Sequence, residues 1–136
     1  GEKWETYTVN HAAATYTMLE NVLTASVTNL GKYVWDVQQY APHMLSLTQG
    51  ESYELSFRAS STAATTMRVV ICRQRDDGNY VDTRSYFVPV SAEQKFYRLH
   101  FTNTLETADD WYVAFNYGNS VGDYTVSDFC LTPYEK

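Results

Sequence analysis

The sequence predicts an all-β protein, a two-sheet β-sandwich, from two observations. Apolar and polar residues alternate with a period of two along most of the chain, which is the pattern of strands with one buried face. Turn-forming clusters interrupt these runs at 47–52 (LTQGES), 76–79 (DDGN) and 118–123 (GNSVGD), and strands spaced in this way are typical of sandwiches and barrels. No repeat or linker divides residues 1–136, so we expect a single domain.

The predicted strands follow one another along the chain. HAAATYTMLENV (11–22) has helix-forming residues but no amphipathic stripe, so we expect an extended or irregular segment there. NVLTASVTN (21–29) alternates small apolar and hydroxyl residues, and YVWDVQQY (33–40) also has the composition of a strand. The later strands are SYELSFRAS (52–60), MRVVICRQ (67–74), FYRLHFTN (96–103), WYVAFNYG (111–118) and VSDFCLT (126–132).

The composition excludes some classes of partner. Twelve Tyr, six Phe and three Trp make up 15% of the chain, and Tyr and Trp rings with their polar groups suit binding surfaces as well as interiors. The net charge is −6 and no basic cluster is present, which argues against nucleic acid because phosphate binding depends on Lys and Arg. No apolar run approaches the ~20 residues that span a bilayer, so no membrane partner is expected.

The sequence also lacks familiar catalytic and metal-binding motifs. It contains no G-x-S-x-G, H-E-x-x-H or P-loop, and glycoside hydrolysis needs two carboxylates that face one cleft. The outward polar residues of the predicted strands are mainly amides, Arg and Tyr, so we expect a protein that is not an enzyme. Cys72 and Cys130, the only cysteines, have no metal-type spacing, and they either pair or stay free.

The residues that the alternation leaves facing outward suggest a ligand. Tyr112 and Asn116 share one outer strand face, Gln38 lies on another strand, and a long hairpin presents Tyr80 and Arg84. A pyranose ring has apolar C–H patches that lie against aromatic faces, and its hydroxyls need planar donors and acceptors. Amide and guanidinium groups provide these in fixed geometry. The outward residues therefore match the chemistry of sugar recognition.

These segments carry a family resemblance. YVWDVQQYAPHMLSLTQGESYELSFRASS (33–61) resembles the carbohydrate-binding modules of families 4, 9 and 22. Those modules have a Trp-Asp-x-Gln/Glu strand followed by a Leu-x-x-Gly-x-x-Tyr-x-Leu-x-Phe-x-Ala segment, which is matched here by Leu47, Gly50, Tyr53, Leu55, Phe57 and Ala59. The likeness continues through MRVVICRQ, DDWYVAFNYGNSVG (109–122) and YTVSDFCLT (124–132) and so covers most of the chain.

The resemblance implies a jelly-roll sandwich with a cleft on its concave sheet. It further implies a monomeric, non-catalytic module that binds single chains of xylan or xylo-oligosaccharide and targets a covalently linked glycoside hydrolase, in particular a xylanase, to the plant cell wall. Such proteins are secreted, so an extracellular or cell-surface location is expected. A β-glucan ligand is the alternative within this class. An alternative of another class is a structural spacer that mediates protein contacts.

Carried over position by position, the resemblance implies six carbohydrate-binding residues. Trp35 matches the Trp that stacks on a sugar, and Gln38 matches the Gln or Glu three positions later. The remaining four are Tyr80, Arg84 (with Asn79 as an alternative in the alignment), Tyr112 and Asn116. In the β-glucan-binding members, amides occupy the positions of Tyr112 and Asn116, and an Arg occupies that of Arg68.

Two further expectations concern Trp35 and calcium. Trp35 and Gln38 have opposite parity in a strand, so both reach one cleft only if Trp35 lies at a strand end or bulge; otherwise Trp35 is a core residue. The family's Asn-Gly-x-Phe-Glu opening strand, which helps to hold a structural calcium ion, is missing here. We therefore expect no cofactor, and Asp128 is the single calcium candidate.

Overall fold

The computed structural model describes residues 4–19 and 21–134, which form ten β-strands and one short 3-10 turn. The strands are β1 (Glu5–Thr8), β2 (Ala13–Leu19), β3 (Val22–Asn29), β4 (Val37–Leu47), β5 (Ser52–Ser61), β6 (Thr65–Gln74), β7 (Tyr80–Val90), β8 (Lys95–Thr102), β9 (Ala108–Asn116) and β10 (Gly122–Pro133). The 3-10 turn, Val34–Asp36, precedes β4 directly.

The strands form two five-stranded antiparallel sheets. The front sheet has the order β1-β4-β9-β6-β7, and the back sheet has the order β2-β3-β10-β5-β8. The all-β, two-sheet sandwich expected from the sequence is thus confirmed. Within the segment 11–22, residues 13–19 are extended as expected, because they form β2. The stretch 33–40 differs from a simple strand, because the 3-10 turn precedes β4 there.

The core lies between the sheets and consists of the residues that the period-two alternation turns inward. Leu55 and Phe57 of the back sheet face Val69, Ile71 and other residues of the front sheet, and all four are fully buried. Aromatic rings fill the centre, and Phe57 packs edge-on against Phe115 with ring centroids 5.3 Å apart. This apolar layer is the main source of stability for a sandwich of this size.

A buried polar clamp joins the two sheets. Gln39 of β4 is fully buried, and its Oε1 accepts a hydrogen bond of 2.7 Å from the Tyr117 hydroxyl. Its Nε2 donates across the core to the backbone carbonyls of Thr17 and Thr24 in the back sheet, at 3.3 and 3.1 Å. Because a buried amide is costly unless it is fully bonded, these contacts favour one alignment of the sheets.

The two cysteines are far apart in the sandwich and do not pair. Cys72 is buried in β6 of the front sheet, whereas Cys130 is exposed in β10 of the back sheet, and both are free. Of the two arrangements that the sequence left open, the structure has free thiols. No helix in the described part of the chain is long and apolar enough to cross a membrane.

The clamp provides a first prediction. Gln39→Leu keeps the side-chain volume but leaves the buried Tyr117 hydroxyl without an acceptor, so we expect the free energy of unfolding to fall by about 2–3 kcal/mol in urea denaturation. Tyr117→Phe alone has a smaller effect. The double variant should lose less than the sum of the two single variants, because no unpaired hydroxyl remains. Strict additivity would contradict a direct coupling between these side chains.

Candidate functional site

An open groove of about 460 Å³ lies on the outer face of the front sheet. All five strands of this sheet and the 3-10 turn contribute to it. Its lining consists of Tyr7, Trp35, Gln38, Tyr40, Arg68, Val70, Cys72, Tyr80, Asp82, Tyr112 and Asn116. Five of the six residues predicted from the sequence, all except Arg84, therefore come together in one depression.

The 3-10 turn resolves the parity conflict between Trp35 and Gln38. Because Trp35 lies in the turn and Gln38 in the strand that follows, strict alternation does not apply between them, and both line the groove. Trp35 is 45% exposed and stacks on Tyr33, with ring centroids 4.8 Å apart and planes at 8°. The alternative that Trp35 is a core residue is wrong; the tryptophan at the centre of the core is Trp111.

The carboxylate of Asp36 holds this turn in place. Its Oδ2 accepts hydrogen bonds from the backbone N–H groups of Lys32 and Tyr33, at 2.7 and 2.8 Å, and from the side-chain amide of Asn10 at 3.0 Å. Burial of the carboxylate opposes its ionisation, but these hydrogen bonds outweigh that effect and lower the pKa of Asp36 below its ordinary value. Asp36 is therefore charged at neutral pH and is almost fully buried.

Gly118 supports the turn from the other side. Its N–H donates to the Val34 carbonyl at 3.0 Å. A Cβ at position 118 would lie 2.4 Å from that carbonyl oxygen and 2.8 Å from the carbonyl oxygen of Tyr33. A side chain at 118 would thus push the backbone of the turn outward, and the absence of a Cβ in glycine allows the close approach.

A relay of polar side chains crosses the groove floor. Gln38 donates to the Trp35 carbonyl at 2.9 Å and accepts from the Asn116 amide at 3.2 Å. Arg68 then donates to Asn116 Oδ1 at 2.9 Å and to Asp82 at 3.1 Å. These contacts follow the strand register, because Asn116 is directly opposite both Gln38 and Arg68. Asn116 is fully buried, so its main role is to position Gln38 and Arg68.

Aromatic side chains form one side of the groove. The Tyr40 and Tyr112 rings lie 5.6 Å apart, and Tyr80 at the start of β7 is 63% exposed. Burial raises the pKa of the Tyr112 hydroxyl, and it also raises the pKa of the neighbouring Cys72 thiol to about 12. The thiol is therefore protonated at physiological pH and is not a reactive nucleophile.

The prediction that Arg84 lines this groove is wrong, and a bulge in β7 is the reason. Asp82 is opposite Cys72, but Arg84 rather than Thr83 is opposite Ile71, so one extra residue on β7 reverses the alternation. Arg84 lies instead at a second depression of about 470 Å³, which it shares with Thr83, His100 and Tyr134. Asn79, the alternative in the alignment, lies in the turn before β7 and bonds to Asp77.

Sequence reasoning missed several groove residues. Tyr7 comes from β1 and Tyr40 from β4, and their place in the groove becomes visible only from the strand register, in which Tyr7 is opposite Gln38 and Tyr40 is opposite Glu5. Arg68 and Asp82 also line the groove, and only the resemblance to the β-glucan-binding members points to Arg68. An Arg and an Asp on neighbouring strands, 14 residues apart in the sequence, carry no local sequence signal that they meet.

The calcium candidate Asp128 lies outside the groove. It has a positive φ of 55° at a bulge in β10, and its carboxylate pairs with Arg58 at 3.0 Å. Among residues 4–19 and 21–134, no three acidic, His or Cys side chains come together in a group that could hold a metal ion. The groove itself has one lining carboxylate, Asp82, which is bonded to Arg68. It has the chemistry of binding rather than of acid–base catalysis.

Comparison with known proteins identifies related domains. A family model described as "Carbohydrate binding domain", of families 4 and 9, matches residues 2–123. The comparison with curated proteins finds no match.

Several solved structures share the fold. One described as "CBM4 structure and function" has a TM-score of 0.85 at 16% identity and covers 98% of this chain and 88% of its own. The second N-terminal cellulose-binding domain of Cellulomonas fimi β-1,4-glucanase C has a TM-score of 0.72 at 21% identity, covering 98% and 86%. The xylan-binding domain CBM22-1 of Paenibacillus barcinonensis Xyn10C has a TM-score of 0.65 at 10% identity, also covering 98% and 86%. These likenesses support the jelly-roll fold.

The buried carboxylate of the turn makes a pH-dependent contribution to stability. Because the pKa of Asp36 is lowered in the folded protein from an ordinary value of 3.8, its contribution is complete above about pH 5 and is lost as the pH falls towards the folded-state pKa. We expect Asp36→Asn to be less stable than the wild type at pH 7, and the difference in unfolding free energy to shrink at pH 4 and below.

Urea unfolding at a series of pH values measures this difference. Asp128→Asn is the matched control, because Asp128 pairs with Arg58 at the surface and such pairs contribute little. A difference between the wild type and Asp36→Asn that is the same at pH 7 and pH 3 would show that the charge does not hold the turn.

Proposed function

Because the chain belongs to the family of carbohydrate binding domains, a family of non-catalytic modules, we propose that its groove binds a single chain of neutral β-linked plant polysaccharide, and xylan first of all. The supporting observation is the convergence of Trp35, Tyr80 and Tyr112 with the Gln38–Asn116–Arg68 relay in one groove. Aromatic faces take the apolar side of sugar rings, and planar amide and guanidinium groups bond the hydroxyls.

The charge of the groove favours a neutral ligand. Arg68 is paired with Asp82 inside the groove, and the chain as a whole carries a net charge of −6. A polyanion would meet a negatively charged protein whose single groove arginine is already neutralised. Binding of an uncharged glycan should accordingly depend little on salt concentration.

A β-glucan is the second candidate ligand, and Arg68 is the observation that favours it. The β-glucan-binding members of the family have an Arg at this position, and here Arg68 lines the groove whereas Arg84, which matches the xylan-binding members, does not. Tyr112 argues against β-glucan, because the β-glucan-binding members have an amide at this position. Xylan and β-glucan must therefore be compared directly in every binding experiment.

The proposed wider role is supported by a groove with the chemistry of binding rather than of cleavage. We propose that residues 1–136 are one module of a secreted glycoside hydrolase, a xylanase in the first place. Attachment of such a module to its polysaccharide raises the local concentration of the linked catalytic domain at the substrate. A structural spacer, the alternative from another class, has no need of a groove with Trp35 and Tyr80 about half or more exposed.

Loss of either exposed aromatic ring should weaken binding without unfolding the protein. We expect Trp35→Ala and Tyr80→Ala each to reduce retardation in native gels that contain soluble xylan, with a loss of affinity of about tenfold or more, because each ring would cover apolar sugar surface. Phe96→Ala is the matched control, since Phe96 is 43% exposed but lies in β8 of the back sheet.

The same gels with barley β-glucan decide between the two ligands. Stronger retardation by β-glucan than by xylan would show that β-glucan is the preferred ligand. If neither polysaccharide changes the mobility of the protein, the spacer is favoured. A large drop in melting temperature for Trp35→Ala would contradict its placement at the surface.

The support of the turn by Gly118 can be tested through binding. In Gly118→Ala the new methyl group collides with the Val34 carbonyl, so the turn must move and Trp35 with it. We expect weaker retardation in xylan and a loss of stability of about 1–3 kcal/mol. Gly50→Ala is the control, because a Cβ there meets no atom within 4 Å, although its positive φ adds some strain. Unchanged xylan binding by Gly118→Ala would show that the position of the turn is not critical.

A further inference from the structure

A single row of outward side chains runs across all five strands of the front sheet. Tyr7 is opposite Gln38, Gln38 is opposite Asn116, Asn116 is opposite Arg68, and Arg68 is opposite Phe87. Directly opposed residues of neighbouring antiparallel strands point to the same side of a sheet, with Cβ atoms about 5 Å apart. The first four residues of the row line the groove, and Phe87 lies next to them on the edge strand, just outside it.

The bulge in β7 is what turns Phe87 to this side. Without the extra residue at 83, the outward series that begins with Tyr80 and Asp82 would continue through Arg84 and Tyr86. With it, the outward series continues through Ser85, Phe87 and Pro89. The bulge that removes Arg84 from the groove face therefore places Phe87 on it.

The Phe87 ring has no role in the core of the sandwich. It is 58% exposed, whereas the inward neighbours on the same strand, Val88 and Val90, are almost fully buried. Its partner across the ladder, Arg68, donates to Asn116 and Asp82, and its Cζ lies 5.8 Å from the centre of the Trp35 ring. The guanidinium is thus held on the groove side, and the Phe87 ring remains open to solvent.

We propose that Phe87, together with the neighbouring Ser85 hydroxyl, forms an additional sugar-binding subsite beyond the groove. It takes the next ring of the same neutral β-linked glycan, so this inference rests on the proposed function. An exposed aromatic face suits the apolar side of a pyranose, and Ser85 is exposed on the same side of β7. The glycan would then run across the strands from Tyr7 to Phe87.

Along this row the subsite extends the line of contacts by one strand, whereas Tyr80 and Asp82 bring β7 into the groove further along the strand. Neighbouring strands lie about 4.8 Å apart, so the row from Tyr7 to Arg68 spans roughly 14 Å and the row from Tyr7 to Phe87 roughly 19 Å. A ligand that begins beside Tyr7 reaches Phe87 only if it spans the longer of these two distances. The contribution of Phe87 should therefore depend on ligand length.

An exposed aromatic residue on an edge strand can also pair with a second molecule. In β7, however, the bulge at 82–84 interrupts the ladder and Pro89 removes one backbone donor, and both features oppose strand pairing between molecules. The geometry favours the sugar subsite over a dimer contact.

Isothermal titration with xylo-oligosaccharides of three and six residues tests the subsite. We expect Phe87→Ala to weaken binding of xylohexaose by about fivefold to tenfold while binding of xylotriose stays unchanged. Phe96→Ala, which removes an exposed ring from the back sheet, should change neither value. If β-glucan is the preferred ligand in the gels, cellotriose and cellohexaose replace the xylose series.

The outcomes separate this inference from the proposed function. If the wild type binds neither oligosaccharide series, the proposed function fails. If the wild type binds xylohexaose and Phe87→Ala binds both lengths as the wild type does, the subsite is wrong. Equal losses for both lengths would overturn it too. The subsite is also wrong if the wild type sediments as a dimer and the Phe87→Ala variant as a monomer, because Phe87 would then be an interface residue.

Discussion

The groove depends on the contact between the Asp36 carboxylate and the 3-10 turn that carries Trp35. A strand alone cannot place Trp35 and Gln38 on one side, because the two residues have opposite parity. The turn breaks the alternation, and one carboxylate oxygen holds it through bonds from Lys32, Tyr33 and Asn10. Without these bonds the buried charge would be strongly unfavourable. The same group therefore stabilises the fold locally and determines where the exposed indole lies.

A second break in alternation, the bulge in β7, determines which side chains of β7 face the groove side of the sheet. The two breaks lie on different strands of the front sheet: the turn brings in an aromatic residue directly before β4, and the bulge exchanges Arg84 for Phe87 on the edge strand β7. The pairing is regular between 38–41 and 113–116 and between 68–72 and 112–116, so Gln38, Asn116 and Arg68 align in one row. Two local irregularities beside regularly paired stretches of strand thus define the groove.

Much of this structure could be predicted from the sequence, and the limits have a common cause. Alternation identified the strands around Phe57, Ile71 and Phe115, because burial on one face imposes a period of two. Alternation could not show that residue 83 is an extra residue, and the prediction that Arg84 lies in the groove was therefore wrong. Tyr80 comes before the extra residue and does line the groove. Tyr7 and Tyr40 were missed because cross-strand register arises from the pairing of distant segments and leaves no mark on either segment alone.

The polar relay indicates how affinity and selectivity are divided within the proposed site. Both polar atoms of Asn116 are bonded within the protein, and Gln38 and Arg68 are each tied to neighbours. A glycan hydroxyl therefore meets groups whose orientation is already fixed, so little conformational entropy is lost on binding. Exchange of hydrogen bonds with water contributes little net free energy, so most of the affinity must come from apolar contact with the aromatic rings. Arg68 still has N–H donors beyond those used by Asn116 and Asp82. In the proposed site, the sugar hydroxyls that these donors could reach would be the source of selectivity between neutral glycans.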